Sequence, residues 1–491
     1  PDGGDAPAET VPGPPVTLPT TPPTTGDGPV STDPATTVPD TTPGTDPVGD
    51  TGDGIGDALW PDLGNPGIDV VDYDVAIEYD PDLDRLAGTI RLTIDPTEDR
   101  DMFTLDSDGP VVASVLVDDE PAAFTEEAPE LRITPATPLR AADDEVVVTV
   151  SYTASPDPSN SLAGIPNGWF DTDGGSYVLN QPDGARSWMP ANDHPSDKAT
   201  WTFRITVPDP LTGVANGGLV EQTPTGDGRT TWVWREEQPM PTYLVQLMTG
   251  DYEIIETEGP GGLPLVSVVL RQDLERMQPY LDSIDDQIRF FEPLFGPYPL
   301  DRYGIAMTDS FGGLAMETLG RSLFSRDDFG GQVGFVQDLL LSHELAHQWF
   351  GDAVSPARWQ DIWLNESFAT YGEWLWTADV GYSPVDVRAA DALRQRRTGF
   401  GSPTGTPAVE DMFSFNSYDG GAVVLHALRG TIGDERFFEL LQRWVAENTG
   451  TSRTTDDFIA LAEEVSGTDL GAFFDDWLYA EVPPAAFPTA G

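Results

Sequence analysis

The chain has no cysteine and only one lysine, Lys198, among its 491 residues. The first absence excludes disulfides and thiolate zinc ligands, and cysteine pairing gives no clue to the redox compartment. The second leaves 25 basic side chains against 83 acidic ones, for a formal net charge of -58. That balance argues against nucleic acid or an anionic membrane as a partner. It also implies self-repulsion that salt would screen. Salt adaptation and compositional drift in a GC-rich genome both fit the missing lysines. No apolar run approaches the length of a membrane span. Histidine is scarce too, with four in the chain.

What is present divides into three stretches, enough chain for more than one domain. Residues 1–57 are Pro, Thr, Gly and Asp with hardly a large apolar side chain, as in Thr20–Thr25. Such a segment cannot offset its ordering entropy and is expected to be a disordered spacer. Together with a chain that begins at Pro1 rather than at methionine, it leads us to expect a lost signal segment and a secreted or cell-surface protein, tethered through the tail. Residues 58–256 alternate with period two. Val71, Tyr73, Val75, Ile77 and Tyr79 share one face, and Ile90–Ile94, Val146–Val150, Trp201–Val207, Trp232–Trp234 and Tyr243–Leu247 continue the pattern. This predicts an antiparallel β-rich domain. Over 257–485 the pattern changes. Strands are expected at Leu265–Leu270, Tyr303–Met307 and Leu314–Met316. Helices are expected at Leu274–Phe291 and around 335–350, 360–378, 386–396, 420–429, 434–448 and 456–465, the last with Thr455 as N-cap. A small sheet followed by many helices is an α+β domain.

Two of the four histidines stand four apart, in His343-Glu344-Leu345-Ala346-His347. On a helix, positions i and i+4 share a face, so both imidazoles can meet one metal ion. An apolar stripe of Val336, Leu339, Leu340, Leu345, Ala346 and Phe350 surrounds the motif, and Gly351 is a natural stop. The next amphipathic stretch, Trp359–Trp376, carries Glu366 near its start. Two histidines and a carboxylate from a second segment suit one Zn2+ with a position left open for water, and Glu344 is placed as the base. An all-histidine ligand set fails, because Ala353 stands where a third histidine would be needed. His194, in a turn-like stretch, and His426, on an apolar helix, are expected to be structural.

With these residues in view, the chain resembles the gluzincin aminopeptidases, the family of aminopeptidase N and leukotriene hydrolase, over roughly residues 60–480. The family joins H-E-x-x-H-x18-E to N-E-x-F-A, and Asn365-Glu366-Ser367-Phe368-Ala369 stands at that place. Its G-x-M-E-N motif is matched in part by Leu314-Ala315-Met316-Glu317-Thr318, after Gly312 and Gly313. Its Y-x-K-G-A motif is matched in part by Tyr418-Asp419-Gly420-Gly421-Ala422. Gln181, before Ala185-Arg186, falls where most members have Glu and leukotriene hydrolase has Gln.

The resemblance implies a thermolysin-like catalytic domain after the β domain, and His343, His347 and Glu366 as zinc ligands. It assigns Glu344 as the catalytic base and Tyr418 as the oxyanion donor. Glu317 and Gln181 would take the free amine of a peptide, and Gly313, Ala315 and Met316 would line its path. The family's closing domains are not expected after Phe473–Leu478, and a more open cleft is the corresponding expectation. Alternatives with other outcomes are a gluzincin endopeptidase and a catalytically silent surface-binding protein on the same scaffold.

Overall fold

The computed structural model describes residues 54–488, apart from 82–84, 142–144, 156–157, 162, 310–314 and 331–332. The spacer expected over 1–57 therefore lies outside the described residues, except at its end. There the Asp57 carboxylate accepts from the backbone N–H groups of Leu59 (2.7 Å) and Trp359 (2.8 Å) and meets His194 Nε2 at 3.3 Å. His194 is buried and structural, as expected.

The alternating segments become a sheet of eight strands. Its centre is Ile68–Asp80, antiparallel to Arg85–Pro96 on one side and parallel to Ala199–Pro208 on the other. Every second side chain of these strands enters the core, the physical origin of the alternation. Val71 departs from the expected face. Register shifts between Val70 and Asp72, and this bulge turns Val70 inward instead. Tyr243–Leu247 departs as well. Pro241 cannot donate to a ladder, so Thr242–Leu244 forms a 3-10 turn and the strand starts at Leu247.

A second sheet joins Tyr252–Glu258, Pro264–Leu270, Ile305–Thr308, Ser322–Ser325 and, at its edge, Ala315–Met316. Around it lie α1 (Leu274–Phe295), α2 (Phe335–His347), α3 (Trp363–Asp379), α4 (Val385–Arg396), α5 (Asp419–Ile432), α6 (Asp434–Asn448) and α7 (Thr455–Ser466). Three local expectations are corrected. Val336 is 44% exposed, so the stripe on α2 begins later. Trp363–Thr377 is buried on every side rather than amphipathic, because α2 and α5 flank α3 within the core. The N-cap of α7 is Thr454, which exchanges hydrogen bonds with Asp457 in a capping box. Thr455 Oγ1 instead donates to Asp361 and accepts from Trp363 Nε1, tying α7 to the start of α3.

Two cations pin the β-rich and helical parts together. Arg321 is buried. Its guanidinium donates to the carbonyls of Ala215, Gly217 and Val266 and to Gln246 Oε1, at 2.8–3.0 Å. It also lies 5.0 Å from the Trp234 ring centre. Lys198 Nζ donates to the carbonyls of Asp352 (3.0 Å), Ala353 (3.3 Å) and Thr451 (3.3 Å).

Candidate active site

The site starts from where α2 stops. It ends at His347, and the chain turns at Gly351, whose φ of +126° suits glycine. A Cβ there would also lie 3.0 Å from Asn365 Nδ2 and 3.3 Å from His347 Nδ1. Tyr243 holds the turn by donating to Gly351 O (3.0 Å) and accepting from Asn365 Nδ2 (3.1 Å). The side chain of Asn365, next to Glu366, thus sits against the end of α2.

Glu366 Oε2 lies 3.5 Å from His343 Nε2 and 3.4 Å from His347 Nε2, and all three side chains are buried. Zinc bonds of about 2.0 Å in tetrahedral geometry put neighbouring donors about 3.3 Å apart, so these residues fit Zn2+. Both Nδ1 atoms are occupied from behind. His347 Nδ1 meets Phe350 O at 3.1 Å, and His343 Nδ1 meets Glu373 Oε2 at 3.3 Å. These partners favour the tautomer with a free Nε2 lone pair. Burial opposes charge on His343, yet its hydrogen bonds to Glu366 and Glu373 outweigh burial and drive the imidazole well above its ordinary value. Burial raises the Glu366 carboxyl, but the charge of His347 and the hydrogen bonds of both imidazoles bring it down to about 2.

Glu344 is buried beside this set. Burial pushes its carboxyl up to about 7, against the pull of both histidines, and its Oε2 has no hydrogen-bond partner among the described residues. Glu317 follows the edge strand Ala315–Met316, and ligand atoms of Glu317, Glu344 and His347 lie within 4.8 Å of one another. Gln181 Nε2 donates to Glu317 Oε1 at 2.8 Å. Tyr418, at the N-cap of α5, lies with its ring 6.0 Å from that of His343. Burial, with the charges of Glu366, Glu317 and Glu344, holds its hydroxyl well above the ordinary value, so the phenol stays a neutral donor. Gly421 permits this approach, because a Cβ there would stand 1.7 Å from Ser367 Oγ on α3.

The structure thus gathers His343, Glu344, His347, Glu366, Glu317, Gln181 and Tyr418 in one place. Ala315 and Met316 form the adjoining edge, and Gly313 lies outside the described residues. His426 is apart from the site, hydrogen-bonded to Tyr371 Oη at 3.2 Å. Sequence reading missed Glu373, although it stands two helical turns after Glu366 and so on the same face. It also missed Gln348, which accepts from Gly320 N (2.8 Å) and donates to Glu317 O (3.2 Å), fixing the Glu317 backbone to α2.

The Peptidase M1 N-terminal domain matches residues 70–244, and the Peptidase family M1 domain matches 280–477. A probable aminopeptidase 2 from Sulfurisphaera tokodaii is 27% identical over 62% of this chain, and the aminopeptidase N of Haemonchus contortus is 28% identical over 66%. The chain spans 41% and 36% of those two proteins. An M1 zinc metallopeptidase from Deinococcus radiodurans superposes with a TM-score of 0.77 at 30% identity, over 89% of this chain and all of that one. A two-domain M1 zinc metallopeptidase, solved as a mutant with L-tryptophan, gives 0.80 at 31% identity, over 89% of this chain and 99% of that one.

Proposed function

The chain belongs to peptidase family M1, and on that premise we propose that it is a zinc aminopeptidase, removing the first residue from peptides with a free N-terminus. The observation that carries this reading is the closeness of Glu317 to the donor set. An α-ammonium on Glu317 stands about 2.5 Å, two covalent bonds, from the first carbonyl carbon. With Glu317, Glu344 and His347 ligand atoms within 4.8 Å, only the first peptide bond comes level with Glu344.

His343, His347 and Glu366 would hold the ion. When bound, zinc supplies Lewis acidity, which eases deprotonation of water and polarises a carbonyl. Glu344 takes the proton of the attacking water and passes it to the leaving nitrogen, a task suited to a buried carboxyl beside the donor set with one oxygen unengaged among the described residues. Tyr418 donates to the carbonyl oxygen as charge gathers there. Glu317 supplies the charge that anchors the ammonium. Gln181, whose Nε2 donates to Glu317 Oε1, has an amide oxygen that can accept a further hydrogen bond from the ammonium without adding charge. The edge of Ala315–Met316 offers backbone groups to an extended peptide.

The test is hydrolysis of Ala-, Leu- and Arg-arylamides and of their N-acetylated forms, before and after chelation. Chelator-sensitive cleavage of the free-amine set alone is expected. Cleavage of the blocked set would instead mean an endopeptidase, and no cleavage of either set would mean a non-catalytic binder.

A further inference from the structure

Behind His343 lies a chain of contacts that the reaction does not use. Glu373 turns one oxygen to His343 Nδ1 (3.3 Å) and the other to Arg388 Nη2 (2.6 Å). Arg388 comes from α4, outside the zinc motif. Its Nη1 donates to Thr377 Oγ1 (3.0 Å), and Thr377 Oγ1 donates to Glu373 O (2.6 Å). Its guanidinium carbon lies 5.5 Å from the Trp374 ring centre. Three residues of one stretch of α3 therefore fix the plane of this guanidinium, which in turn fixes one oxygen of Glu373. A second arginine of α4, Arg396, is buried and donates to Gly420 O at 2.7 Å, two residues after Tyr418. One helix thus braces both the back of a metal ligand and the segment that carries the oxyanion donor.

We infer that Arg388 is a positioning residue of the metal site, acting through Glu373 to hold His343 with Nε2 aimed at the ion. Without it, Glu373 is a buried carboxylate whose remaining side-chain partner among the described residues is His343, free to rotate away from Nδ1. Groups that orient a metal-bound imidazole typically change metal affinity by about 10–100-fold, and Arg388 stands one contact further out, so about tenfold is expected. A planar fork is required to reach Glu373 and Thr377 together, which a lysine ammonium can do only in part. The inference rests on the zinc reading of the site but not on the reaction.

The test is the zinc dissociation constant of the full chain, by competition with a chromophoric chelator, for Arg388→Met, Arg388→Lys and the exposed α4 control Arg394→Met. Expected are a rise of about tenfold for Arg388→Met, a smaller rise for Arg388→Lys and none for Arg394→Met. With zinc saturating, kcat of Arg388→Met on a free-amine arylamide should recover while KM stays put. A zinc affinity within twofold of the parent in Arg388→Met overturns the inference. So does a rise in Arg388→Met matched by Arg394→Met, or one accompanied by an equal loss of affinity for substrate at saturating zinc. Affinity is read without substrate, so failure of the aminopeptidase reading would leave this result standing.

Discussion

Glu344 and Glu317 are both buried carboxylates, yet their neighbours give them different work. Glu344 has an oxygen without a partner among the described residues, whereas Glu317 shares one with Gln181. Replacing Glu344 by Gln keeps the shape and removes the base. Zinc content by elemental analysis should be unchanged while kcat falls by about 10²–10⁴; substantial remaining turnover would remove Glu344 from the mechanism. Lys198 makes a different case, since its ammonium satisfies three carbonyls around the turn after α2 and burial pulls it down to about 7. Lys198→Met removes this donor from the carbonyls of Asp352 and Thr451, while Ala353 O still accepts from Gly450 N, and denaturant unfolding should show a loss of about 1–3 kcal/mol.

At the scale of elements, the approach of α5 to α3 sets where Tyr418 lies. Gly421→Ala would drive a methyl into Ser367 Oγ, at a cost of about 1–3 kcal/mol. A lowered melting temperature with a lowered kcat is expected, and a variant equal to the parent in both would show that the helices have room to part. Much of this level was legible in the chain. The i, i+4 histidines, the period-two strands and the Asn365-Glu366 pair are local patterns, and local patterns survive into the structure. What was not legible depends on partners distant in sequence. The bulge at Val70 needs the facing strand, the turn at Thr242–Leu244 serves a tyrosine that reaches Gly351, and α3 looks amphipathic until its neighbours cover both faces. Arg388 and Glu373 are fifteen residues apart on different helices, and no spacing rule joins them.

For the whole molecule, charge dominates. Burial pushes Asp193 and Glu236 up to about 7 and Asp197 up to about 8. Each keeps its proton in the folded chain at pH values where unfolded carboxylates, near 4, have lost theirs. Their stabilising contribution is therefore full below about pH 4 and is lost as pH rises through 7–8. In the zinc-free chain His343 and His347, also raised, act with the same sign. The melting temperature of the chelated protein should fall from pH 5 to pH 8, and Asp197→Asn should flatten that fall; a rising curve would contradict the assignment. Self-repulsion at a net charge of -58 adds a salt effect. Shortening the Debye length to about 3 Å in 1 M salt should raise the melting temperature at pH 8, and a fall would mean that attractive pairs outweigh repulsion.

The lone lysine has a consequence for handling the protein. Its one side-chain amine is held by three carbonyls and drawn down to about 7 by burial, so the chain offers a single lysine nucleophile, and that one is engaged. Dyes, cross-linkers and resins that couple to lysine therefore meet a single, engaged side chain in the folded body, and a lysine introduced at an exposed surface position should couple faster than Lys198 does.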